Sequence, residues 1–200
     1  MTELLSGKRA ITDADVHPLL VDRWSPRWYD AEAEVSERAL LAMLEAARWA
    51  PSFGNTQPAR YLVGKRGDDT YRRILDVLIP RNRAWAQAAG ALLLGVAMTR
   101  NEKGEVPYAE YSTGLATENL VVQAVAEGLA ARQMAGFDPD AAHEVFALPE
   151  EAKPLVAIAV GVPGDLTQVP DDLRERELAP RKRLPLSEIA FGPDWGEAAF

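Results

Sequence analysis

The chain contains no cysteine and only two histidines, His17 and His143. The first absence excludes disulfides, thiolate-ligated zinc or iron–sulfur centres and thiol nucleophiles; the second excludes a histidine-rich metal site. No stretch is apolar enough to span a bilayer. Met1 to Ala10 is short and polar and lacks the apolar core of a secretory signal. There is no internal repeat and no low-complexity segment. Positive charge is also scarce: 22 Lys and Arg against 30 Asp and Glu give a net charge of −8. Broad nucleic-acid binding is therefore not expected, and an anion site must come from local clustering of arginines. A cytoplasmic protein with no membrane or nucleic-acid partner is the expectation. Redox chemistry would need a borrowed cofactor.

Apolar residues are plentiful. At 48% of 200 residues they suffice for one domain with a substantial core, or two small ones. Residues 1–22 read as an irregular arm, with a short helical possibility at 14–21 interrupted by His17-Pro18. Ser36 reads as an N-cap, and Leu40, Met43, Leu44 and Ala47 follow at helical spacing up to Pro51. Tyr61 to Val63 reads as a strand and Asp69 to Leu78 as a helix. Residues 80–89 are mixed. The continuous apolar run 90–98 predicts a buried strand, and 99–107 a loop that could serve as a lid. Ser112 to Leu129 predicts a long helix with little polar surface, suited to a core or a subunit interface. A strand follows at 130–134. Asp138-Pro139 then opens a helix to about Ala147, and 154–161 is a second buried strand. The remainder is charged and proline-rich, with Arg174 to Glu177 read as a solvated patch. Helix and strand alternate across 36–161, which favours an α+β or α/β domain.

Four features carry chemical potential. Arg23 and Arg27 flank Ser25; guanidinium forks and a hydroxyl match phosphate oxygens, although two arginines alone are usually solvated surface groups. The loop Pro51-Ser52-Phe53-Gly54-Asn55-Thr56-Gln57-Pro58 offers amides and hydroxyls that both donate and accept, suited to the edge of a flat heterocycle. Read by itself, it is a connection that satisfies its own backbone. Gly136 marks a turn where backbone N–H groups could face a ligand. Arg181-Lys182-Arg183 is a second basic cluster in an acidic chain.

The order of these features across residues 20–196 resembles the nitroreductase family of FMN flavoproteins. The resemblance implies an α+β, nitroreductase-like fold: a central, mostly antiparallel sheet flanked by helices. The expected division is an N-terminal arm (1–22), a single FMN-binding core (23–163) and a C-terminal arm (164–200). It further implies an intertwined homodimer in which extended terminal arms embrace the partner and two FMN molecules lie at the interface. Carried over residue by residue, Arg23, Ser25, Arg181 and Arg183 would hold the FMN phosphate. Trp24 would contribute backbone contact nearby, and Arg27 would lie near the flavin pyrimidine edge. Ser52, Asn55 and Gln57 would bond the ring or ribityl groups. Gly136, preceded by Ala135, would offer its N–H to flavin N5. Phe53, Trp85 and Tyr108 are candidates for lining the acceptor pocket, with core or interface packing as the other role. Many relatives carry a glutamate where this chain has Ala135, and an aromatic residue where it has Ala59-Arg60. The activity implied is an NADH- or NADPH-dependent oxidoreductase that reduces nitroaromatics, quinones or other conjugated small molecules by ping-pong hydride transfer. The alternatives are a specialised flavoprotein of the same fold (dehalogenation, heterocycle oxidation or flavin breakdown) and a non-catalytic flavin binder.

Overall fold

The computed structural model describes residues 8–200, so the first seven residues of the expected arm lie outside it. Its elements run α1 (Pro18–Asp22), α2 (Glu37–Arg48), β1 (Ala59–Lys65), α3 (Asp69–Val77), α4 (Pro80–Ala86), β2 (Ala91–Met98), β3 (Arg100–Asn101), β4 (Gly104–Glu105), α5 (Ala109–Ala126), β5 (Ala130–Met134), α6 (Pro139–Phe146), β6 (Ala152–Gly161) and α7 (Asp171–Leu178).

Four strands form one sheet in the order β1-β2-β6-β5, with every pair antiparallel. The inner pair explains the unbroken apolar runs in the sequence, because helices cover both faces of the sheet. Leu92, Leu94 and Val96 pack with Ile74 and Val77 of α3, Trp85 of α4 and Ala142 of α6. Ala91 and Leu93 pack on the other face with Met43 and Ala47 of α2 and Leu120, Val121 and Ala124 of α5. Each buried leucine contributes roughly 1.5–3 kcal/mol.

The helix starts follow local chemistry. Ser36 Oγ accepts from Ala39 N at 3.2 Å, Asp68 Oδ1 from Tyr71 N at 2.6 Å, and Asp138 Oδ1 from Ala141 N at 3.0 Å. Each satisfies an N–H that the first helical turn leaves without a partner. His17 caps α1 in the same way, through Nδ1. The mixed stretch after Pro80 is helical, with the proline at its first position, where a missing N–H costs nothing. The expected loop at 99–107 closes on itself through the two-residue strands β3 and β4.

One expectation is overturned. Arg174 to Glu177 is not a uniformly solvated patch: these residues lie in α7, and Glu177 is only 1% exposed. Nothing local to this stretch signals that a carboxylate here would find a partner 150 residues away.

Candidate functional site

Segment 23–25 and the chain after α7 meet beside α1. Arg181 Nη1 donates to the carbonyls of Val21 (2.7 Å) and Lys8 (3.0 Å), which anchors the C-terminal segment to the N-terminal one. Arg23 Nη1 donates to Ser25 Oγ at 3.1 Å. Burial lowers the pKa of the Arg181 guanidinium, and the charges of Arg23 and Arg183 lower it further. Asp22 opposes that effect but is itself paired with Arg9 at 2.8 Å. Lys8 adds another cation: it is buried, donates to Ala179 O at 2.7 Å and lies 5.3 Å from the centre of the Trp24 ring. Arg183 is exposed and donates only to its neighbour's carbonyl among the described residues. The sequence-predicted phosphate group (Arg23, Ser25, Arg181 and Arg183, with Trp24) is thus assembled within one chain. Like charges held this close are an arrangement that an anion would stabilise.

Arg27 follows on the adjoining surface. Its N–H donates to Glu177 Oε2 at 3.0 Å, and its guanidinium lies 3.8 Å from Glu177 Oε1. A groove of about 640 Å³ opens beside it, between α4 and α7, lined by Arg27, Arg81, Trp85, Gln87, Leu173 and Arg176 among others. Arg132 of β5 donates to Ser25 O and lies 5.5 Å from the centre of the Trp85 ring. Burial lowers the pKa of the Arg132 guanidinium, with Arg27 adding to the effect.

Past the far end of β5, Gly136 turns the chain into α6. Its carbonyl accepts from Ile79 N (3.2 Å) and Asn82 Nδ2 (2.9 Å). A Cβ on Gly136 would stand 2.6 Å from Asn82 Nδ2 and 2.7 Å from Ile79 Cδ1, the far ends of two side chains that would have to swing aside. The Gly136 N–H has no acceptor among the described residues, and Ala135 beside it is exposed. The phosphate-like cluster, Arg27 and Gly136 therefore follow one another along the β5 side of the sheet.

The loop 51–58 is elsewhere. Phe53 N donates to Ser112 Oγ near the start of α5 (3.4 Å), and a groove of about 150 Å³ separates the loop from α2 and α5. The Arg23 cluster sits at the other end of that helix: Trp24, Val125, Gly128 and Leu129 line one pocket. The loop is held by its own hydrogen bonds, including Ser52 Oγ accepting from Gln57 N at 3.0 Å. Three residues in left-handed backbone shape it: Gly54 (φ 52°), Asn55 (55°) and Gln57 (48°). For the two non-glycine residues this conformation costs of order 1–3 kcal/mol each. Among the described residues the Asn55 carboxamide has no hydrogen-bond partner, and it is exposed.

Phe53 and Tyr108 do come together, with ring centres 5.3 Å apart and both rings exposed. Trp85 does not join them. It is 6% exposed and stacks 6.3 Å from Tyr29 in the core, so its face toward the groove is a wall and not a free ring. Sequence reasoning missed Lys8, Asn82, Arg132 and Glu177. Lys8 and Glu177 are charged residues in stretches that read as an arm and as a solvated patch, Arg132 lay in the strand expected at 130–134, and Asn82 in the mixed segment 80–89. A charge among buried neighbours was the available signal for Arg132, which lies within the strand 130–134.

No helix among the described residues is long and apolar enough to cross a membrane, and no group of metal-ligating side chains occurs among them. Comparison with known proteins identifies relatives. The chain is 34% identical over 145 residues to an uncharacterized 15.4 kDa protein in the ask 5′ region of Mycolicibacterium smegmatis, covering 68% of this chain and 97% of that one. A crystal structure of an oxidoreductase containing FMN superposes with a TM-score of 0.86 at 33% identity, over 92% of this chain and 95% of that one. A Desulfovibrio desulfuricans protein crystallised in complex with FMN superposes with a TM-score of 0.70 at 25% identity, over 90% and 99%. The profile of the nitroreductase family matches residues 20–83 and 79–162, and the chain belongs to that family.

Proposed function

We propose that this chain is an FMN-dependent NAD(P)H oxidoreductase that acts as a homodimer on conjugated small-molecule acceptors. The observation that carries the reading is the cluster of Arg23, Arg181 and Arg183 around Ser25. Its guanidiniums are held by main-chain carbonyls and a hydroxyl, and its only nearby carboxylate, among the charges acting on Arg181, is already paired. That donor set fits a phosphate dianion. The turn at Gly136, whose N–H has no acceptor among the described residues, fits a hydrogen bond to a flat ring. FMN in two of the similar structures supports the same reading.

FMN, when bound, supplies a two-electron centre that takes a hydride from NADH or NADPH and passes the electrons to an acceptor. The chain's residues supply binding and electrostatics. Arg23, Ser25, Arg181 and Arg183 hold the phosphate. Arg27 places positive charge beside the ring, where negative charge develops on reduction. Gly136 offers its N–H, and Asn82 steadies the Gly136 carbonyl behind it. Donor and acceptor use one open face in turn, which predicts ping-pong kinetics.

The loop 51–58 supports a dimer. It touches α5 at Ser112, whereas the pocket beside the arginine cluster touches it at Val125, about 20 Å further along the helix at 1.5 Å per residue. It also precedes β1, which is the opposite sheet edge from β5. Ser52, Asn55 and Gln57 therefore cannot complete the phosphate end of their own chain's site, and a second chain would bring them to it. Leu41, Trp49, Phe53, Tyr108 and Tyr111 leave an exposed apolar face around the loop that a partner would cover. Gly114 points the same way. It occupies the interior of α5 at a cost of about 1 kcal/mol relative to alanine, yet beyond the helix's own backbone nothing among the described residues lies within 4 Å of the position its Cβ would take. A partner's close approach supplies a reason for it.

The test is visible absorbance of the purified protein, followed by anaerobic addition of NADPH and of NADH. A flavin spectrum that bleaches supports the reading, and the faster donor is the preferred one. A protein that takes up no FMN refutes it.

A further inference from the structure

Glu177 has no place in the binding site described above, yet its carboxylate is among the most deeply buried polar groups of the chain. It sits on α7 and receives the Arg27 N–H at 3.0 Å, with the Arg27 guanidinium 3.8 Å away. Its charge also acts on Lys8, on Tyr29 and on Arg132, while Arg176 acts on Arg27 and Arg132 in the opposite sense. One carboxylate is therefore shared by a group of guanidiniums, and the group keeps a net positive charge.

We infer that Glu177 is a positioning residue that fixes Arg27 by its backbone and sets how much of its positive charge reaches the cofactor. The geometry has two separable parts. The hydrogen bond from Arg27 N orients the segment 25–27 and needs only an acceptor. The ion pair partly neutralises the guanidinium and needs a negative charge. A glutamine at 177 keeps the first and removes the second. Positive charge near a ring that gains negative charge on reduction favours the reduced form. Removing the counter-charge therefore shifts the reduction potential of the bound cofactor upward. The same carboxylate joins the C-terminal arm to segment 25–27, so cofactor electrostatics depend on a helix outside the sheet core.

The inference rests on the reading that FMN lies beside Arg27. The experiment compares native, E177Q and E177D proteins, each reconstituted with FMN, by flavin content and by spectroelectrochemical reduction potential. The expected result is full FMN occupancy in all three, a potential shifted to more positive values in E177Q, and a potential closer to native in E177D, which keeps the charge. Native protein that takes up no FMN removes the underlying reading. Native protein that binds FMN, with E177Q at the native potential, overturns this inference alone. Where E177Q does not fold, R27Q and the double variant E177Q/R27Q decide. R27Q lies at a more negative potential than native, and the double variant matches R27Q, because the carboxylate acts through Arg27. A double variant well above R27Q shows that Glu177 acts without Arg27 and overturns the inference.

Discussion

Complementation between two defective chains tests the shared site directly. One variant, R23A/R183A, removes two cationic contacts to the phosphate but leaves Arg181 to anchor the C-terminal segment to Lys8 and Val21. Loss of two charged hydrogen-bonding partners costs about 3–6 kcal/mol of FMN binding, or roughly two to four decades in Kd. The other variant, N55G/Q57G, deletes two carboxamides at positions already in left-handed backbone, where glycine is free of strain. Two to four neutral hydrogen bonds lost there amount to about 2–4 kcal/mol. Loop and arginine cluster stand at opposite ends of α5, so in the proposed dimer each complete site would draw on two chains. Equal co-expression gives about half mixed dimers, each with one intact and one doubly defective site. About a quarter of all sites should then bind FMN as tightly as native protein, although neither parent homodimer does. In differentially tagged, purified mixed dimers the fraction rises to about half of the sites, which equilibrium titration of flavin fluorescence measures. Mixed dimers that bind no tighter than the better parent would show that each site is built within one chain.

Three further outcomes follow from packing and titration. Gly64 of β1 lies under α3, and a Cβ there would stand 2.3 Å from Tyr71 N and 2.4 Å from Tyr71 Cα. Because the obstacle is backbone, G64A should reach the upper end of overpacking costs, about 3 kcal/mol, and lower Tm by roughly 6–12 °C; an unchanged Tm would mean that α3 lifts freely. Tyr71 OH donates toward the carbonyls of Ala86, Gln87 and Ala89, and burial pushes its pKa from 10.0 up to about 12. The fold holds this proton more tightly than the unfolded chain does, so the contribution is fully present below pH 10.0 and is lost as pH rises through about 12. Y71F should be about 1 kcal/mol less stable at neutral pH and show a shallower alkaline loss in urea titrations; parallel pH profiles for the two proteins would contradict the assignment. On the open face of α5, G114L should weaken self-association at least tenfold in sedimentation equilibrium while leaving the monomer helical. A dimer of native affinity would move the interface elsewhere.

The sequence by itself determined most of the core elements and several of their starts. Ser36, Asp68 and Asp138 supply capping oxygens within a few residues of the N–H groups they satisfy, so proximity along the chain decides their structure. The apolar runs at 91–98 and 154–161 could only be covered on both faces, and they are. The basic groups at 23–27 and 181–183 were legible as candidate anion sites because so acidic a chain has little reason to cluster arginines. Only the tertiary structure decided which of these groups meet. It joined Arg181 to Val21 across 160 residues, and it placed the loop 51–58 beyond reach of the arginine cluster. It also turned Trp85 from a candidate pocket ring into a core wall, and Glu177 from an expected surface charge into the buried partner of Arg27. The physical reason is the range of the forces. Capping and periodic burial act over a few residues, where the sequence order is the geometry. The environment of a charge depends on which distant segments the sheet and helices bring beside it.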